Sequence, residues 1–333
     1  MSAAVLVIIV AGAYLHAAEA AGPIPFKFGF VSNAKLQGGI YGQLIEKYVN
    51  EACQGRVEAK FFPNGLLGTD PEMLDKTRLG LMGGMIAPLN VAGNAVPYVD
   101  VLMLPFVSNN WDSVNGFVKS PFADEFLKGV ESYGYKGLGL TGYGLSGLES
   151  NSKATTLAEL QKLKFRVPEA PVILKTFEAL GITPMVIPFP DLYEALKQGV
   201  VDGCDLPPDV AVFVKFTEVV KYFVRTNHNF GWYMFVVNKA WFDKLPEDVK
   251  GPFADAVKRA SAESLELSHK AEMEALDVFA KKGIEVITPS DAEQEKMRQM
   301  TKQVVDWRLS SYNDKDRDLA LKALNVMGYN SNK

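Results

Sequence analysis

TLAELQKLKFRVPEAPVILKTFEALGITPMVIPFPDLYEALKQGVVDGCDLP, residues 156–207, alternates helix signals with short apolar runs. Thr156 with Glu159 has the spacing of a capping box, Lys164–Val167 reads as a strand, and Pro171–Leu180 as a helix that Gly181 ends. Asp191 with Glu194 repeats the box and opens a helix through Lys197 that Gly199 terminates. Strand alternating with helix builds a mostly parallel sheet covered by helices. Within this stretch Arg166 stands at a strand end, just before a helix. A guanidinium there suits an organic carboxylate, because its planar fork can give two parallel charge-assisted hydrogen bonds. Alone it could equally cap carbonyls or pair with a neighbouring acid. The surrounding sequence favours a ligand.

The same rhythm runs through the first half. Residues 26–31 read as a strand, 40–51 as a helix with Ile40, Leu44, Ile45 and Tyr48 on one face, and 56–62 as a second strand. Asp70-Pro71 reads as an N-cap with proline in the first turn, opening a helix that ends near Gly80. Residues 70–88 and 191–207 share a design: capped helix, glycine, short strand, proline. Residues 246–282 carry one helical pattern closed by Gly283, some 50 Å long at ~1.5 Å per residue and long enough to touch two lobes. Two helices broken near Gly251 or around Ser261 are the alternative.

The chain has 333 residues, 48% apolar and 22% charged, enough for two globular lobes. A net charge of −4 offers no basic stripe for a phosphate backbone, so nucleic acid is not an expected partner. Residues 1–20 read as a secretory signal with a small-residue cleavage site near Ala20, which implies an exported, soluble protein. An uncleaved anchor is the alternative, and no Lys or Arg precedes the apolar run. Cys53 and Cys204 fall in different expected lobes, so buried free thiols are favoured over a disulfide.

The run Lys164 to Pro168, then Ile187-Pro188-Phe189, then residues 191–203, resembles the solute-binding proteins of tripartite ATP-independent periplasmic (TRAP) transporters, the dicarboxylate-receptor-like family. Phe62-Pro63-Asn64-Gly65, Leu67-Gly68, Leu104-Pro105-Phe106 and 215–219 look like further blocks in the same order, so the resemblance covers about 26–290. It implies a two-lobed periplasmic-binding-protein-like α/β fold, each lobe a mixed, mostly parallel sheet flanked by helices, with a long helix spanning both. The expected lobes are 24–148 with 236–282, and 149–235 with 283–333. It further implies a receptor that closes on its ligand and serves an integral membrane permease driven by an ion gradient, with a carboxylate held by Arg166 and pocket positions at Phe189, His228 and near Asp70.

Two departures shape the expected ligand. The stretch 142–149 has no arginine where the family often has a second one, and Leu206 stands where an asparagine often assists the carboxylate. Both argue against a dicarboxylate or sialic acid and for a monocarboxylate with an apolar or aromatic body. The rings of Phe189, Phe230, Trp232 and Tyr233 could line the pocket or be core. Asp205 could orient Arg166, accept from a ligand hydroxyl or amine, or cap the helix after Pro207-Pro208. His228 could donate in the pocket or be a satisfied core histidine. Asn33, Asp70, Asn90 and Tyr143 complete the expected ligand-binding set. No cofactor, metal or catalytic motif appears: the chain lacks a Gly-x-Ser-x-Gly elbow, a His-Glu-x-x-His run and a Cys/His cluster. A secreted hydrolase or lyase, and a ligand-sensing accessory of a membrane kinase, are the alternative readings.

Overall fold

A computed structural model describes residues 22–329; the expected signal segment lies outside the described residues. Among the described residues nine strands form one sheet: β1 (Ile24–Gly29), β2 (Val57–Phe62), β3 (Gly84–Pro88), β4 (Tyr135–Ser150), β5 (Lys164–Val167), β6 (Thr183–Val186), β7 (Gly203–Leu206), β8 (Tyr222–Asn238) and β9 (Glu285–Ile287). Their order is β2-β1-β3-β8-β4-β7-β5-β6, and β9 pairs with the start of β8. β4 and β8, of 16 and 17 residues, pair antiparallel along their length and run through both halves of the sheet. In the first half β1, β2 and β3 are parallel, and β3 meets β8 antiparallel. In the second half β5, β6 and β7 are parallel, and β7 meets β4 antiparallel. The two stretches that share a design in sequence thus occupy equivalent places. Each brings a helix, a glycine with positive φ (Gly80 at 74°, Gly199 at 69°) and a strand beside a crossing strand.

The helix starts differ in two places from the sequence reading. Thr69, not Asp70, caps the helix Asp70–Arg78: its side chain accepts from Glu72 N, and the Glu72 carboxylate accepts from Thr69 N. Asp70 is left with a carboxyl that the cap does not use. Asp191 does not cap Leu192–Lys197, because its backbone is helical (φ −89°, ψ −8°) and continues the 3-10 turn Phe189–Asp191, whereas a cap needs extended backbone. The Thr156–Glu159 box forms, and Gly181 at φ 70° closes Pro171–Leu180.

Glu247–Lys282 is one helix of 36 residues, roughly 54 Å at ~1.5 Å per residue. It does not break at Gly251 or Ser261. Pro252 sits in its second turn, where the missing N–H leaves the Asp248 carbonyl without its helical donor. Val249, Phe253 and Val257 pack with Phe26, Phe28 and Ile45 of the first half. Towards the other end Phe279 joins Leu206, Phe216 and Phe223 of the second. The helix therefore buries against both halves.

The C-terminal stretch also touches both. Helix Asp291–Ser311 packs on Pro171–Leu180, while Asp314–Val326 packs on the turn Pro97–Met103 and on Phe122–Gly129. Its tether is ionic: Arg308 Nη2 lies 2.8 Å from Asp100 Oδ2, and Tyr312 donates to Asp100 Oδ1 at 2.5 Å. Asp100 is 6% exposed, and burial raises its pKa although Arg308 opposes the shift. Removing one partner of a buried pair strands the other charge, so Asp100→Ala should cost about 3–5 kcal/mol in urea unfolding. A loss below about 1 kcal/mol would show that this pair does not hold the C-terminal helices in place.

Candidate functional site

Arg166 lies in β5, in register with Met185 of β6 and Cys204 of β7, and is 4% exposed. Its Nε donates to the Ile187 carbonyl at 2.7 Å, which sets the plane of the guanidinium. Nη1 and Nη2 make no hydrogen bond among the described residues, and no carboxylate there comes within ion-pair distance of them. The Phe189 ring lies 5.9 Å from the guanidinium carbon. Burial lowers the Arg166 pKa, opposed by Cys204, Asp205 and Tyr143, yet an arginine keeps its proton at neutral pH. The result is a pinned cation with its fork unspent.

Asp205 follows in β7, 5% exposed, and its Oδ1 has no hydrogen-bond partner. His228 Nε2 is 3.6 Å away, an ion-pair distance only if the ring is protonated and too long for a hydrogen bond. The other ring nitrogen, Nδ1, shares a hydrogen bond of 2.7 Å with Thr226 Oγ1. Asp205 is a strand residue and does not cap the next helix, whose N-cap is Pro207.

The crossing strands supply the next layer. Tyr143 stands in β4 where the register shifts between Gly142 and Gly144, and its ring lies 4.6 Å from that of Tyr233 in β8. A Cβ on Gly231 would meet the Tyr143 ring at 2.1 Å, so that ring requires a glycine beneath it. Burial raises the Tyr143 pKa first, then Asp205, Asp209 and Asp70 raise it further, and Arg166 pulls it down. These four charges therefore converge on one phenol. Burial pushes Asp70 up from 3.8 to about 7, and its Oδ1 has no partner. Burial also raises Asp209 to about 7, with Glu272 adding to the shift and the Val210 N–H and the Gln37 side chain opposing it. Asn90, two residues beyond the Pro88 that faces Tyr233, has an unpartnered Oδ1 as well.

Three expected residues stand elsewhere. Phe230 and Trp232 are fully buried on the face of β8 opposite Tyr233, where Phe230 meets Trp111 edge-on and Trp232 donates to Ser108 Oγ at 3.1 Å. Strand alternation separates them from the cleft. Asn33 is exposed and spends its side chain on the Lys35 N–H in a surface turn. Leu206 borders the site: it packs in the cluster of Phe216, Phe223 and Phe279, against which Tyr143 and Phe189 also lie.

Sequence reasoning missed three acids. Asp209 follows two prolines and reads as part of a helix start. Glu149, in the stretch that lacks a second arginine, faces Cys204 across the β4–β7 pair, and Cys204 Sγ donates to its Oε2 at 3.7 Å. Burial raises both groups well above their ordinary values, which keeps the Cys204 thiol protonated at neutral pH, and Cys53 and Cys204 are free. Glu272 comes from the long helix: its Oε2 accepts from Trp111 Nε1 at 3.1 Å and from Leu145 N at 3.0 Å, tying that helix to β4 where β4 passes between the halves. Only its spacing on a helical face could have pointed to it.

Residues 30–311 match the family model described as "Bacterial extracellular solute-binding protein, family 7" (DctP). The chain belongs to this family. It is 30% identical over 252 residues to the C4-dicarboxylate-binding periplasmic protein DctP of Rhodobacter capsulatus, covering 74% of this chain and 73% of that one. A solved TRAP periplasmic solute-binding protein from Ochrobactrum anthropi superposes with a TM-score of 0.84 at 25% identity, covering 93% of this chain and 97% of the other. Another, from Desulfovibrio salexigens with bound orotic acid, gives 0.81 at 25%, covering 91% and 99%. The protein is a periplasmic solute-binding receptor of the TRAP type, not an enzyme, with the two-domain α/β fold of that group. No helix among the described residues is long and apolar enough to cross a membrane.

An aspartate whose pKa rises from 3.8 to about 7 on folding binds its proton more tightly when folded, so stability falls as pH rises between those values. Asp70→Asn and Asp209→Asn should each raise the melting temperature of the empty receptor, more at about pH 8 than at about pH 5. Equal shifts at the two pH values would show that burial does not hold these carboxyls protonated.

Proposed function

We propose that this receptor captures a small organic monocarboxylate with an apolar or aromatic body between its two halves and delivers it to an ion-driven TRAP permease in the membrane. The observation that carries the reading is the unspent fork of Arg166, buried and set in plane by one hydrogen bond to Ile187. A carboxylate on Nη1 and Nη2 would satisfy both at once. Three features favour one carboxylate over two. No second arginine lies in 142–149, Leu206 is apolar, and Asp70, Asp205 and Asp209 surround Tyr143. The rings of Phe189, Tyr143 and Tyr233 suit a flat body. Orotic acid, bound in the Desulfovibrio relative, is a flat heterocycle with a single carboxyl.

Because Arg166 is 4% exposed, the ligand enters only when the halves part. β4 and β8 are two of the paths between them, and Gly144 at φ 120° marks where β4 can bend. Contacts from both halves would then favour the closed state. Arg166→Ala should weaken binding of a monocarboxylate found by thermal-shift screening by roughly 2–5 kcal/mol in calorimetry. Arg166→Lys should recover only part of it, since an ammonium lacks the fork. Equal affinity for the Ala variant and the parent would reject the carboxylate anchor.

A further inference from the structure

Resting on that reading of Arg166, we propose that the cargo is zwitterionic: its carboxylate lies on Arg166, and a protonated amine at its other end lies between Asp70 and Asp209. Acids outnumber cations around the cleft, and a cation between Asp70 and Asp209, which burial raises to about 7, would complete their ionisation. Among the groups that act on Tyr143, Arg166 is the one cation, set against Asp205, Asp209 and Asp70. Asp205 has Arg166 and His228 beside it. Asp70 and Asp209 have no cationic partner within ion-pair distance among the described residues. Lys76, on the helix of Asp70, turns its Nζ to the Leu67 carbonyl at 2.7 Å, and Asp209 has the Gln37 amide but also the like charge of Glu272.

The unpartnered atoms point the same way. Asp70 Oδ1, Asp205 Oδ1, Asp209 Oδ1 and Asn90 Oδ1 are all acceptors buried without a donor, and Asp205 and His228 are 5% and 3% exposed. Buried acceptors left unpaired cost free energy that a bound donor recovers. An ammonium brings only donors and also neutralises charge, whereas a hydroxyl donates without neutralising and a second carboxylate adds to the excess. Asp70 comes from a helix of the first half and Asp209 from a short helix of the second, and both act on Tyr233. A cation between them would draw the halves together, so the amine would also drive closure.

The test compares acids that differ only by an amino group at the end remote from the carboxylate: 5-aminopentanoate against pentanoate, γ-aminobutyrate against butyrate, and 4-(aminomethyl)benzoate against 4-toluate, with galactonate as a polyhydroxy acid. Calorimetry on the mature protein should give, in at least one pair, about tenfold or tighter binding for the aminated acid. That advantage should shrink to within about threefold in the double variant Asp70→Asn, Asp209→Asn. The proposal is overturned if the deaminated twin binds as tightly in every pair, if galactonate outbinds every aminated acid, if no aminated acid binds, or if the advantage survives in the double variant. Arg166→Ala separates the two ideas. Unchanged binding of all acids there would sink the carboxylate anchor, while lost binding together with indifference to the amine would sink this inference alone.

Discussion

The cleft depends on a guanidinium that is buried but only partly satisfied. Folding removes Arg166 from water and returns one hydrogen bond, to the Ile187 carbonyl, so the rest of its fork is held ready and dry. In that setting a carboxylate would meet a preoriented partner with little competing solvent, which would strengthen each bond it made. The same burial raises Asp70 and Asp209 and leaves Asp205 Oδ1 without a hydrogen-bond donor among the described residues. Stability is spent at these positions, and a ligand with complementary charge would restore it.

That arrangement needs two halves that hold their shape yet share long elements. β4 and β8 cross between them as one antiparallel pair, and the helix Glu247–Lys282 buries one end in each core. Glu272 links the two systems by accepting from Leu145 N and Trp111 Nε1 near the register shift at Gly142 and Gly144. Several of the sequence blocks that carry the family resemblance are backbone devices: Asn64, Phe106 and Lys215 have positive φ, and Phe106 N donates to the His228 carbonyl at 2.8 Å. A bulky residue in that conformation is costly, so surrounding contacts must hold it there.

Local signals were legible to the extent that they are short range. The box at Thr156 and Glu159 and the glycine stops at Gly181, Gly199 and Gly283 fall where the spacing places them, because caps and left-handed turns are satisfied within a few residues. Where two residues compete for one local role, spacing was ambiguous. Thr69 took the cap expected of Asp70, and the 3-10 turn before Asp191 removed the extended backbone its box required. The front of the helix Gln37–Ala52 was missed because Gly38 and Gly39 are poor helix formers; packing against Phe30 and Ala34 admits them.

The sequence by itself determined the strand-helix alternation in 26–88 and 156–207, the long helix Glu247–Lys282 and the family, and it singled out Arg166, since periodicity, caps and contiguous motifs are written along the chain. Only the tertiary structure decided which side chains share the cleft. Phe230, Trp232 and Tyr233 are neighbours in sequence, yet strand alternation turns the first two into the core and the third toward Tyr143. Asp209 and Glu272 are far apart in the chain and come together at Gly144, where a Cβ would meet both carboxylates. Burial, not residue type, sets their charge, and burial is a property of the assembled fold.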